Sequence, residues 1–220
     1  MKAAAFFVVG SAFVLAAGKE TSDPDSRRFT ETFLVDERDL SSTGRNPFFI
    51  LEPGYFLVLE KGGKKKEVLT VTVLDETKKI GGIETRVVEE RETVDGKETE
   101  VSRNFFAICK RTNSVYYFGE DAGGAWIHGE KGAHFGLIMP GTVLLGARYQ
   151  QEIAPGVAMD RAEIVSLTET VETPAGKFEK CLDVLETNPL EPGSKEAKYY
   201  APGIGLIQDG GLKLARYGKK

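Results

Sequence analysis

Ile83-Glu84-Thr85-Arg86-Val87-Val88-Glu89-Glu90-Arg91-Glu92-Thr93-Val94, then Asp95-Gly96, then Lys97 to Lys110, is the stretch that decides the fold. Two long β-branched and aromatic runs flank an Asp-Gly dipeptide, whose residues accept the positive φ angles of a tight turn, so the pattern is a hairpin. The return run places Val101, Phe105, Ala107 and Cys109 on one face, because side chains in a strand alternate.

Working outward, the same period holds on both sides. Leu69, Val71 and Val73 share a face opposite Thr70 and Thr72, and Tyr55 to Glu60 precedes them after the Glu52-Pro53-Gly54 turn. Thr112-Asn113-Ser114 turns the chain into Val115-Tyr116-Tyr117-Phe118. Three hairpin links in succession make an antiparallel meander. Further strands are expected at Tyr149 to Ile153, Ala162 to Thr173, Phe178 to Thr187 and Lys195 to Tyr200, with a last hairpin across Asp209-Gly210-Gly211. Helical periodicity is nearly absent. The expected fold class is all-β, mainly antiparallel: one curved sheet of about ten strands, closed or half-closed, since such a sheet otherwise exposes its edges. Two packed sheets are the alternative.

The N-terminus reads differently. Lys2 is followed by an uncharged run from Ala3 to Ala17, with small residues at Ala16, Ala17 and Gly18 before charge returns at Lys19. This is the order of an export signal, and the run is short for a bilayer span of ~20 apolar residues. The expected organisation is a signal peptide over 1–17, a flexible polar tail over 18–45 and one β domain over 46–220, in a periplasmic or extracellular protein without a transmembrane segment after cleavage. A retained N-terminal anchor is the alternative.

Acids outnumber bases 33 to 29. Neutralising phosphates needs a basic face, so nucleic acid is not an expected partner. Lys61, Lys64, Lys65 and Lys66 cluster around two glycines and read as a solvated turn. Export places Cys109 and Cys181 where a disulfide is permitted; two separate buried thiols are the alternative.

The segment Gly119 to Gly146 holds eight of the 25 glycines, Trp126, and both histidines, His128 and His134. Glycine marks unusual backbone angles or close approach, and loops on a rigid scaffold carry function. Tyr117, Glu120, Asp121, Trp126, His128 and His134 are therefore the candidate ligand-binding residues. The competing reading is an irregular connection with Trp126 packed in the core. Any Ser/His or Cys/His hydrolase would need His128 or His134 as its base, but no GxSxG elbow occurs. Metal spacings, Walker loops and dinucleotide fingerprints are also missing, so no cofactor, metal ligand or catalytic residue is assigned. Aromatics concentrated in the second half, including Tyr116, Tyr149, Tyr199 and Tyr200, suit the mouth of a curled sheet that takes an amphipathic molecule.

Five motifs carry a resemblance: Asn46-Pro47-Phe48-Phe49; Val115-Tyr116-Tyr117-Phe118-Gly119-Glu120-Asp121; Met139-Pro140-Gly141; Thr173-Pro174-Ala175-Gly176-Lys177-Phe178-Glu179-Lys180-Cys181; and Tyr199-Tyr200-Ala201-Pro202-Gly203-Ile204-Gly205-Leu206-Ile207. Together they resemble a widespread set of exported bacterial β-rich proteins of unassigned function, over nearly all of 46–220. The resemblance implies an envelope or secreted origin and brings no catalytic residue with it. The pattern is also distantly similar to curved-sheet carriers of lipids or lipoproteins, an analogy of fold alone. The functional expectation is a non-catalytic binding module for an amphipathic small molecule or another envelope protein. A histidine-dependent hydrolase and a subunit assembling through β edges are the other two expectations.

Overall fold

The structure is a computed structural model that describes residues 29–122 and 125–220. The expected signal peptide lies outside the described residues. The fold is all-β and antiparallel, and it is built from more strands than the ten expected.

Three short strands come first: β1 (Leu40–Ser41), β2 (Gly44–Asn46) and β3 (Phe49–Leu51). The meander follows as β4 (Tyr55–Lys61), β5 (Glu67–Ile80), β6 (Ile83–Val94), β7 (Lys97–Cys109) and β8 (Val115–Asp121). Next come β9 (Trp126–Ile127), β10 (His134–Met139), β11 (Arg148–Gln150) and β12 (Glu152–Ile153). The long hairpin of β13 (Arg161–Thr173) and β14 (Gly176–Thr187) leads to β15 (Lys195–Ala201), β16 (Gly205–Asp209) and β17 (Leu212–Lys219).

The hydrogen-bonded path runs β11-β13-β14-β15-β16-β17-β4-β5-β6-β7-β8-β10-β12. Its two ends, β11 and β12, are the halves of one segment separated only by Gln151. Gln150 pairs with Arg161 of β13, while Glu152 pairs with Phe135 of β10. The sheet therefore returns on itself as a nearly closed up-and-down barrel, interrupted at one residue. The Gln151 amide donates to the Asp160 carbonyl at 2.8 Å, so the kink leaves that donor satisfied. From β13 to β17 and from β4 to β8, neighbouring staves follow one another in the chain, as the turn chemistry predicts, and the β17–β4 pairing joins the two runs.

A barrel of eight strands is just wide enough for its own side chains to fill, and the interior widens as strands are added. Here the hairpin of β2 and β3 enters one end as a plug. Leu51 is fully buried in the same apolar cluster as Val73, Val88, Phe106, Leu182 and Val184. Asn46, also fully buried, fixes the hairpin: its amide donates to the carbonyls of Asn113 at 2.8 Å and Pro140 at 3.0 Å, and its Oδ1 accepts from Phe48 N at 2.7 Å. The Pro47 carbonyl accepts from Gly203 N at 2.6 Å. All three partner turns lie at the same end of the barrel.

The compact fold begins before Asn46. Phe33 packs on Tyr116 with ring centroids 6.0 Å apart, and Leu40 pairs with Cys109. With Ile83, Val87, Phe105 and Phe118 they form an apolar layer, which the 127–135 stretch extends through Ile127 and Phe135. Part of the stretch read as a polar tail thus belongs to the β structure. Beyond that layer the outer face of β5–β7 carries ion pairs, Arg91–Glu89 at 3.0 Å and Arg103–Glu76 at 3.1 Å. Among the described residues no helix is long and apolar enough to cross a membrane, a statement that does not bear on strands.

The cysteines do not pair. Cys109 lies on β7 in the layer with Phe105 and Tyr116, and Cys181 lies on β14 in a second cluster with Ile207 and Leu214. Both are free, buried thiols. Their strands are separated around the barrel by β8, β10, the β11–β12 segment and β13, which places them on different walls.

Candidate functional site

The barrel encloses a cavity of about 120 Å³. One part of its wall is apolar: Phe48 and Phe49 from the plug, with Leu57, Val71, Val88 and Phe106 from β4–β7. The other part is ionic: Glu90 of β6, Glu186 of β14, Lys198 of β15 and Asp209 of β16. Tyr200 also lines the cavity.

Strand register brings the ionic residues together. Val71 faces Glu90 across β5–β6, and Lys198 faces Asp209 across β15–β16. Glu186 is diagonal to Lys198, whose Nζ lies 2.8 Å from Glu186 Oε2 and 3.7 Å from Asp209 Oδ2. The Gln151 side-chain amide donates to the other Glu186 oxygen at 2.7 Å. Burial would push the Lys198 ammonium downward, but the carboxylates of Asp209 and Glu186 outweigh it and hold the lysine well above its usual range.

Glu90 stands apart from this network. It makes no hydrogen bond and no ion pair among the described residues, although it lines the cavity. Burial raises its pKa to about 7; Lys198 opposes the rise, and Asp209, Glu120 and Glu92 add to it. Glu90 therefore exchanges its proton near neutrality.

More acids surround the end of the barrel opposite the plug. Glu92 faces Glu100 and Glu186 faces Glu196, each directly across a strand pair. Like charges in that position are destabilising. Burial raises the pKa of Glu92, and also that of Glu196, where Asp209 adds to it. Glu152 and Asp160 form a further pair, with Asp160 N donating to Glu152 Oε1 at 2.7 Å, and burial raises both carboxyls.

Three of the six residues expected from the sequence come together inside the barrel. Tyr117 stacks on Phe106 at 4.8 Å and meets Trp126 edge-on at 5.1 Å. Its hydroxyl donates to Asn104 Oδ1 at 2.5 Å and lies 3.4 Å from Glu120 Oε2. Burial raises the Glu120 carboxyl, and the Tyr117 hydroxyl opposes that rise. Trp126 is 5% exposed, and its indole N–H finds no acceptor among the described residues. None of the three lines the cavity itself.

Asp121, His128 and His134 do not join them. Asp121 is exposed at the end of β8. His128 lies against the outer layer, edge-on to Phe118 at 5.6 Å, and its Nδ1 accepts from Phe135 N at 3.2 Å. His134 is exposed, 6.1 Å from the His128 ring. No serine or cysteine is hydrogen-bonded to either imidazole among the described residues. Nor, among those residues, is any group of three or more His, Cys, Asp or Glu side chains arranged to hold a metal ion.

Sequence reading passed over Glu90, Glu186, Lys198 and Asp209. The signal for Glu90 was present as a glutamate two residues after Val88, on the apolar parity of β6.

No family model matches this chain, and neither the curated proteins nor the solved structures provide a match.

Proposed function

We propose that this chain is a non-catalytic binding module that takes an amphipathic small molecule into the barrel, and that it works in the bacterial envelope or outside the cell. The observation that carries the proposal is the divided cavity wall, with aromatic and aliphatic side chains on one part and Glu90, Glu186, Lys198 and Asp209 on the other. Ligand sites combine these elements: apolar walls supply affinity and a few fixed polar groups supply orientation. The plug supports the same reading, since its Phe48 and Phe49 form part of the cavity wall. The envelope location rests on the Lys2–Gly18 pattern and on the resemblance to exported proteins.

The test is native mass spectrometry of the full chain purified from its own host without refolding, beside a Val88→Phe variant. Val88 lines the cavity, and the larger ring would occupy it at a cost of about 1–3 kcal/mol. A small molecule carried by the wild type and missing from a folded Val88→Phe protein is the expected result. A wild type that carries nothing, and binds nothing in a screen of amphipathic compounds, overturns the reading.

A further inference from the structure

The ionic part of the cavity wall is unbalanced. Glu90, Glu186 and Asp209 bring three carboxylates to one ammonium, that of Lys198, which is already engaged by two of them. Glu186 is satisfied by Lys198 and Gln151. Glu90 lacks any partner among the described residues and faces the cavity with Val71, Val88 and Phe106 nearby.

A second polar group of the interior, outside the cavity wall, is also unpaired. Tyr149 is 2% exposed, and its hydroxyl makes no hydrogen bond among the described residues. It packs in the interior cluster with Tyr200 and Val184, close enough to Glu186 for that carboxylate to act on it. A buried hydroxyl without a partner costs about 1–3 kcal/mol, and the half-buried Glu90 carboxylate is disfavoured without a counter-ion. Glu90 would be relieved by a visitor that brings positive charge and N–H donors into the cavity.

Resting on the reading of the cavity as a binding site, we infer that its ligand is a small organic cation, an ammonium group on an aryl or short alkyl body. The ammonium takes Glu90 as its counter-ion and the apolar body lies against Val88 and Phe106. A carboxylate or phosphate headgroup would meet the same excess of acid and be repelled. Size points to a small body: an engineered apolar cavity of about 150 Å³ holds one benzene, and this cavity is of similar volume.

The experiment uses three matched probes on the full chain at pH 8, followed by NMR titration: 2-phenylethylammonium, 2-phenylethanol and phenylacetate. The cation is expected to bind at least tenfold more tightly than the alcohol, with phenylacetate weakest. In Glu90→Gln the cation should lose about tenfold while the alcohol is unchanged, a split that a general loss of structure would not give. At pH 5 the preference should shrink, because protonation removes the Glu90 charge. The groups facing Glu90 are Lys198, Asp209 and Glu186, with Glu92 and Glu120 toward the acid-lined end. If the alcohol or phenylacetate binds as tightly as the cation, the charge assignment is overturned while the cavity remains a binding site. If none of the three binds at millimolar concentration but host-purified protein carries another molecule, the charge assignment alone fails. If none binds and host-purified protein is also empty, the binding reading fails with it.

Discussion

The two ends of the barrel are built on opposite terms. At the plugged end, Asn46 is the buried polar group, and three hydrogen bonds from 2.7 to 3.0 Å satisfy it. Around it the chain packs aromatic and aliphatic groups, Phe49 on Phe106 at 5.1 Å and Leu51 in the core. At the other end, carboxylates face one another across strand pairs and Glu90 has no partner among the described residues. The first end obeys the rule that buried polar groups are paired; the second departs from it. Departures of this kind gather at functional sites, where local stability is given up for chemistry. The comparison therefore predicts that changes at the plugged end weaken the fold and changes at the acid end strengthen it.

The largest effect is expected where the barrel meets itself and where the plug is seated. A Cβ on Gly136 would clash with the backbone of Gln150 and Gln151 at the closing seam, and one on Gly141 with the Thr112 carbonyl beside the plug. Gly136→Ala and Gly141→Ala should each cost about 4 kcal/mol or prevent folding, as urea denaturation would record. Wild-type stability in either would remove the seam or the plug from the account.

Next comes Asn46→Ala. It strips partners from two carbonyls and one amide at once, and should cost about 3 kcal/mol in the same assay. A loss near zero would mean that the plug is held by its apolar side chains alone.

Glu90→Gln has the opposite sign. An acid whose folded pKa lies above its unfolded value penalises the fold wherever it is ionised. For Glu90 that penalty is absent below the ordinary value of 4.5, grows as pH rises, and is complete above about 7. The variant should therefore be more stable than wild type at pH 8, by on the order of 2 kcal/mol, and equal to it at pH 4. Thermal melts at the two pH values check this, and an equal gain at both would assign the effect to something other than the charge.

The smallest effect is expected at Glu196→Gln, which removes one of the facing like-charge pairs and should gain about 0.5 kcal/mol at neutral pH. A loss there would mean that Glu196 is held by a favourable contact.

Much of the fold is legible in the chain, because alternation and turn chemistry are local signals. Asp95-Gly96, Thr112-Asn113-Ser114 and Pro174-Ala175-Gly176 each sit where a hairpin turns. What stays hidden is the glycine-rich stretch, which reads as irregular yet supplies β9 and β10. Glycine removes the side chain that would show the alternation. At Gly119 a Cβ would lie 2.6 Å from the Trp126 carbonyl, so glycine is there to admit the β9 strand. The strand over 149–153 is legible but its break at Gln151 is not, since that break follows from closure with two different neighbours.

The candidate site is less legible for the same reason of range. Trp126, Tyr117 and Glu120 are close in sequence, and the structure brings them together inside the barrel but away from the cavity wall. Glu90, Glu186, Lys198 and Asp209 come from four strands, and only the register of the closed sheet brings them to one wall. The two histidines stand out in the chain by rarity, and rarity carries no information about which face of a sheet a residue occupies.

The most direct test of the account is a high-resolution crystal structure of the full chain purified from its host without refolding. The account predicts non-protein density between Val88, Phe106 and Tyr200, with its polar end within hydrogen-bond distance of the Glu90 carboxyl. A cavity filled by repacked side chains or by water alone, with Glu90 hydrogen-bonded to the protein, would contradict it.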